Sequence, residues 1–182
     1  MTTTALVAYA TKHGSTAGIA EQIGVTLRAR GIPTDVAPAR DIRSIDDYGL
    51  VVVGSAVYMF RWQGDAVDFL KRFEEQLRQR PTWLFGSGPT GGSPEAEEKL
   101  DQILANQPPP PGNVAKRVTR VGARGYRTFG GRVGPEMNGF FERRIPKGDW
   151  RDFDAVREWA NEIADSVQPV AVEPVPAEPV AV

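Results

Sequence analysis

An apolar run, Ala5-Leu-Val-Ala-Tyr-Ala10, breaks off into Thr11-Lys-His-Gly-Ser-Thr16. A helical pattern follows at once, with Ile19, Ile23 and Leu27 four residues apart. No other stretch narrows the possible folds so far. A strand apolar at every position is buried on both faces, as in the middle of a parallel sheet. The loop after it has a chemistry of its own. The first N–H groups of a helix are unpaired and the helix dipole is positive there, which favours a phosphate at that end. Gly14 lets backbone come close to an anion, and Thr11, Ser15 and Thr16 add hydroxyl donors. The same residues also suit a plain turn and cap.

Further along, the pattern repeats. The first helix is predicted from about Thr16 to Arg30, stopped by Gly31 with Pro33 beyond. Thr34 to Ala37, between Pro33 and Pro38, suits a short strand near an edge. Leu50-Val-Val-Val53, ending at Gly54-Ser55, is the strongest strand. Asp65 to Arg80 is predicted helical through Val67, Leu70, Phe73 (or Phe69) and Leu77, and Pro81 ends it. Trp83 to Phe85 makes a fourth strand. Ser93 and Pro94 have the chemistry of an N-cap and first helical residue, ahead of Leu100, Ile103 and Leu104. Arg117 to Ala123 alternates around Val118 and Val121 and is predicted as the fifth strand. Pro135 to Ile145 suits a short helix. The last helix starts near Asp152 and carries Val156, Trp159, Ala160 and Ile163.

Strands alternating with helices at this spacing predict an α/β fold, a three-layer sandwich with a five-stranded parallel sheet in the order 2-1-3-4-5 and helices on both faces. The domain is expected over residues 1–167. Residues 168–182, rich in Val, Ala, Pro and Glu, are expected to form a disordered tail.

In such a sheet the loops after strands one, three and four open on one edge. They are Thr11-Lys12-His13-Gly14-Ser15-Thr16, then Ser55-Ala56-Val57-Tyr58 running on to Trp62, then Ser87-Gly88-Pro89-Thr90-Gly91-Gly92. A phosphate end, an aromatic wall and an edge of small residues together describe a planar ligand on a phosphorylated arm. Taken singly, Tyr58, Met59 and Trp62 suit ordinary packing equally well. The Walker pattern is missing from the sequence, and Gly86 to Gly91 matches Gly-x-Gly-x-x-Gly without an acidic residue at the end of the next strand.

Composition removes several classes. With no cysteine and one histidine there is no disulfide, thiolate nucleophile or structural zinc set. The net charge of −1 predicts no nucleic-acid partner. With no basic-then-apolar leader and no apolar run near the length of a span, the expected location is cytoplasmic, at most peripheral at the inner face of a membrane. Lys116 to Arg144 is the exception to the even charge. Lys116, Arg117, Arg120, Arg124, Arg127, Arg132, Arg143 and Arg144 stand there against Glu136 and Glu142. It reads either as a helix with a solvated basic rim or as a docking face for an anionic partner.

Tyr9-Ala-Thr11-Lys-His-Gly-Ser-Thr16 resembles the phosphate loop of the flavodoxin-like proteins, with His13 where a threonine often stands. More narrowly, Gly54-Ser-Ala-Val-Tyr58, Gly122-Ala123 and Asp149-Trp-Arg-Asp-Phe153 resemble the branch that includes menaquinone-dependent protoporphyrinogen oxidase. That branch carries a longer aromatic and basic insertion after the fifth strand, whereas Tyr126 to Trp150 is compact and glycine-rich here. The resemblance implies FMN as cofactor and an electron-transfer or oxidoreductase function. Its partners would be a redox protein, a quinone or a porphyrinogen-type substrate. Thr11 to Thr16 would hold the phosphate, Tyr58 and Trp62 would shield the ring, and backbone of Ser55 to Tyr58 and Ser87 to Gly92 would meet its edges. No catalytic side chain is needed, and His13 falls at the phosphate end. The rivals are a carrier without its own small substrate and a flavin-free interaction domain. A receiver-type module would need aspartates where Thr11 and Lys12 stand.

Overall fold

The computed structural model describes residues 3–88, 94–137 and 147–167. Strand β1 (Ala5–Ala10) lies between β2 (Thr34–Pro38) and β3 (Leu50–Tyr58), followed outward by β5 (Thr82–Ser87) and β6 (Gly125–Phe129), every pairing parallel. The order β2-β1-β3-β5-β6 is the predicted 2-1-3-4-5 pattern, with β2 on an edge as its flanking prolines require. A two-residue strand β4 (Arg61–Trp62) turns back antiparallel onto the end of β3.

Two apolar clusters explain why Ala5 to Ala8 of β1 and Leu50 to Val53 of β3 have no polar positions. Leu6, Ala8, Val51, Val53 and Leu84 pack on one face beneath α2 (Gly64–Arg72), α3 (Glu74–Arg78) and α5 (Gly112–Arg120). Ala5, Val7, Leu50, Val52 and Phe85 pack on the other beneath α1 (Ser15–Ala29) and α6 (Phe153–Asp165). Alternate residues face opposite layers, so both sets must be apolar. Asp152 caps α6, accepting from the backbone N–H groups of Asp154 and Ala155 at 2.9 and 3.0 Å.

Four expectations need correction. The third strand runs on past Gly54 to Tyr58, because β4 supplies a partner for its last residues. The helix expected from Asp65 to Arg80 is broken at Phe73 (φ −110°, ψ 17°), where the ring turns in against Phe69 at 4.9 Å between centroids.

The third correction concerns Arg117 to Ala123, which is not a strand. Val114, Val118 and Val121 fall four and three residues apart, a helical stripe of which the expected strand took in only the last two members. The helix starts after Pro111, whose carbonyl accepts from the N–H groups of Val114 and Ala115. It ends where Gly122 takes φ +64°, with Ala123 N–H bonded to Val118 and Gly122 N–H to Thr119. The fifth strand of the sheet is Gly125–Phe129 instead.

Fourth, the helix expected from Pro135 to Ile145 does not start there, since Pro135 and Glu136 form a turn; the rest of that segment, 138–145, lies outside the described residues. A small antiparallel ribbon, β7 (Arg132–Val133) with β8 (Gly148–Asp149), precedes α6 and had no counterpart in the expectations. Helix α4 (Pro94–Ala105) starts at the expected proline. Ser93, its expected cap, and the expected tail from 168 lie outside the described residues.

Candidate functional site

The C-terminal ends of β1, β3, β5 and β6 open on one edge, and the first turn of α1 faces it. Gly14, just ahead of α1, has φ +82°, a left-handed conformation that an L side chain would strain. Its N–H donates to Thr11 Oγ1 at 2.9 Å, which closes the loop on itself. The N-cap, Gly14, has no side chain with which to cap α1. Inside the first turn, Thr16 is wholly buried, and among the described residues its Oγ1 has no hydrogen-bond partner. Uncapped N–H groups beside an unsatisfied buried hydroxyl are the donor set that a phosphate satisfies.

Ser15 ties neighbouring segments to this point. Its Oγ accepts from the backbone N–H of Arg132 at 3.0 Å and lies 3.5 Å from Ser87 Oγ. Arg151 donates to the Ser15 carbonyl at 3.5 Å while paired with Asp149 at the end of β8. The Arg151 guanidinium, chiefly by its hydrogen bond, holds the Asp149 carboxyl below the usual range. Lys12 Nζ stands 3.8 Å above the Tyr58 ring, so the first and second loops meet through a cation and an aromatic face.

A cavity of about 710 Å³ opens between these loops, within the range of small-molecule sites. Of the expected residues, Thr11, Lys12, His13, Ser15, Ala56, Val57, Tyr58, Ser87 and Gly88 line it. Gly14 and Thr16 shape the helix start behind that lining. Ser55 is buried below, its Oγ accepting from the Gln63 N–H at 2.9 Å and donating to the Ala56 carbonyl. Pro89, Thr90, Gly91 and Gly92 lie outside the described residues.

Trp62 does not face the cavity. It is 3% exposed, packs 6.3 Å from Tyr126 and has its backbone held on both sides by the Asn113 side chain. The reason is the tight β3–β4 hairpin, which returns Trp62 to the register position opposite Val57. Its tip instead presents Met59 and Phe60, 76% and 91% exposed at the cavity mouth. Both have positive φ, 52° and 57°, where glycine or asparagine is usual. Two bulky residues at a strained, solvent-facing tip are a costly arrangement for packing alone.

Sequence reasoning also missed a far wall made by Pro108 to Pro111 with Tyr126, and Arg132 at the phosphate end. The four-proline run was the available signal for that wall. Burial pushes the Tyr126 hydroxyl pKa up.

The model of the flavodoxin domain matches residues 6–146, and the chain belongs to that family. FMN is the cofactor this membership carries, and the uncapped, hydroxyl-lined loop fits its phosphate. Among solved structures, flavodoxin 2 from Bacillus cereus is similar at a TM-score of 0.60 and 18% identity, over 90% of this chain and 99% of that one. A flavodoxin from the Archaea gives 0.54 and 18%, over 90% and 98%. The rubredoxin oxygen:oxidoreductase of Desulfovibrio gigas gives 0.57 and 16%, over 90% of this chain and 35% of that one. This chain therefore spans about a third of the length of that oxidoreductase. At these identities the likenesses show the fold. A comparison with curated proteins returns no match.

Proposed function

We propose that this FMN domain acts as an oxidoreductase on a planar, largely apolar electron donor or acceptor of the quinone or porphyrinogen type. The observation that carries it is the hairpin tip, where Met59 and Phe60 stand exposed and strained beside Tyr58 at the mouth of the FMN cavity. Bound FMN supplies the electron-transfer chemistry. The chain supplies position. Thr11, Gly14, Ser15 and Thr16 would hold the phosphate through backbone N–H and hydroxyl groups, with Lys12 adding positive charge and His13 a ring nitrogen at the same end. Tyr58 would cover one ring face, and backbone of Ala56 to Tyr58 and of Ser87 and Gly88 would meet the ring edges. Met59 and Phe60 would exclude water and offer an apolar platform to the second substrate.

The narrower likeness to protoporphyrinogen oxidases rests on short sequence motifs, among them Gly122-Ala123, which the structure uses to end a helix. A second reading, a carrier that hands electrons to a protein, is favoured by Lys116 and Arg120, exposed on α5, the helix that starts at the Pro111 wall. Arg117 and Arg127 are already paired, with Glu74 and Glu162. Arg143 and Arg144 lie outside the described residues.

Anaerobic reduction followed by rapid mixing separates the two. An enzyme reoxidises with a rate that saturates in a short-chain quinone, or is reduced by a porphyrinogen with saturation. A carrier shows only linear dependence on small molecules and saturates with an acidic redox protein. Linear dependence on every small molecule, unchanged in a Phe60→Ala variant, would overturn the enzyme reading.

A further inference from the structure

Beside the phosphate loop stand an arginine and a glutamate that the FMN assignment does not use. Arg132 opens β7, and its backbone N–H on Ser15 Oγ fixes it against the first residue of α1. Its side chain lines the same cavity as Thr11, Lys12, His13 and Ser15. The guanidinium donates from Nη1 to Glu136 Oε1 at 2.8 Å and from Nη2 to Oε2 at 3.5 Å. The carboxylate lies folded back over Gly134, where a Cβ would come within 2.1 Å of its Oε2. Glu136's own backbone N–H, then Arg132, keep its carboxyl below the usual range, and the charge of His13 acts the same way. A backbone donor and a two-pronged guanidinium on one carboxylate make the surroundings of a bound anion.

Resting on the FMN assignment above, we propose that Glu136 is an internal stand-in for the ligand's phosphate. Arg132 exchanges Glu136 for that phosphate on binding and so selects FMN over riboflavin. A guanidinium takes a phosphate in the same two-pronged way as a carboxylate, and the phosphate carries the larger charge. The Arg132–Glu136 pair is about one-third exposed on the arginine and 42% on the glutamate, so solvent screens it and the exchange is easy. Once displaced, Glu136 is a like charge next to the phosphate. It therefore opposes binding.

The test is fluorescence titration of FMN and of riboflavin into the full chain stripped of flavin, for the wild type, Arg132→Gln and Glu136→Gln. Arg132→Gln is expected to raise the Kd for FMN about tenfold and leave riboflavin within a factor of about two. Glu136→Gln is expected to lower the Kd for FMN about threefold, again with riboflavin unchanged. The FMN preference of the wild type should shrink as salt is added. Equal losses for both flavins in Arg132→Gln would make the arginine structural and overturn the proposal. Weaker FMN binding in Glu136→Gln would overturn it too, and that variant keeps the shape of the side chain. A wild type that binds neither flavin refutes the FMN assignment itself. One that binds FMN with the same preference in both variants refutes only the exchange.

Discussion

A buried hydroxyl with no partner costs a folded protein about 1–3 kcal/mol, and Thr16 carries one in the first turn of α1. With the phosphate held there as proposed, affinity for FMN and the stability of the flavin-free fold pull against each other at this residue. Thr16→Val keeps the shape and removes the oxygen. The flavin-free variant should be more stable by about 1 kcal/mol in urea unfolding, while its Kd for FMN rises about fivefold. Equal stability and unchanged affinity would show that the hydroxyl serves neither end. The loop around Thr16 was legible in the sequence because strand, glycine, hydroxyl and helix follow each other within twelve residues. The aromatic wall was legible only in part. Tyr58 faces the cavity as expected, whereas Trp62 is turned away by a hairpin whose Met-Phe tip lacks the Asn-Gly signature of such turns.

Elements placed by long apolar patterns were easy to read, and so were the short strands at Thr34 and Trp83, which prolines set off; the segment after Pro111 was not. Arg117 to Ala123 holds only two apolar anchors, Val118 and Val121, and their spacing of three becomes a plain helical stripe once Val114, outside that window, is added. The end of this helix gives a test. Gly122 sits at φ +64°, so Gly122→Ala should cost about 1 kcal/mol in urea unfolding, although its nearest contact, the Arg78 backbone, leaves room for a methyl group. A strand at 117–123 would instead gain from losing a glycine.

The β7–β8 ribbon, two residues on each side, had no pattern to show. It is held at Asp149 by Arg151, which lowers the Asp149 pKa. A carboxyl whose folded pKa is depressed adds stability that is present above its unfolded value, about 3.9. That contribution is lost as the pH falls through the lower, folded value. Acid unfolding followed below about pH 4 should thus be steeper in the wild type than in Asp149→Asn. The difference should stay below about 1 kcal/mol, since Asp149 is 44% exposed. A steeper profile in the variant would contradict this.

At the scale of the molecule, the parallel sheet gathers four strand ends at one edge, which is why loops far apart in sequence share one cavity. The strand order could be anticipated from connection lengths and the burial of both faces of β1. The cavity's full lining could not, because the proline wall and Arg132 enter from connections whose paths depend on tertiary packing. On the proposal above, the chain folds around a site for one FMN whose phosphate lies on Thr11 to Thr16. Titration of FMN into the folded, flavin-stripped chain tests it most directly, with flavin fluorescence and thermal unfolding read on the same samples. One FMN should bind per chain with quenched fluorescence, and stability should rise by about 2.7 kcal/mol at a hundredfold excess over Kd. A folded chain that leaves FMN fluorescence and its own melting temperature unchanged would contradict the account.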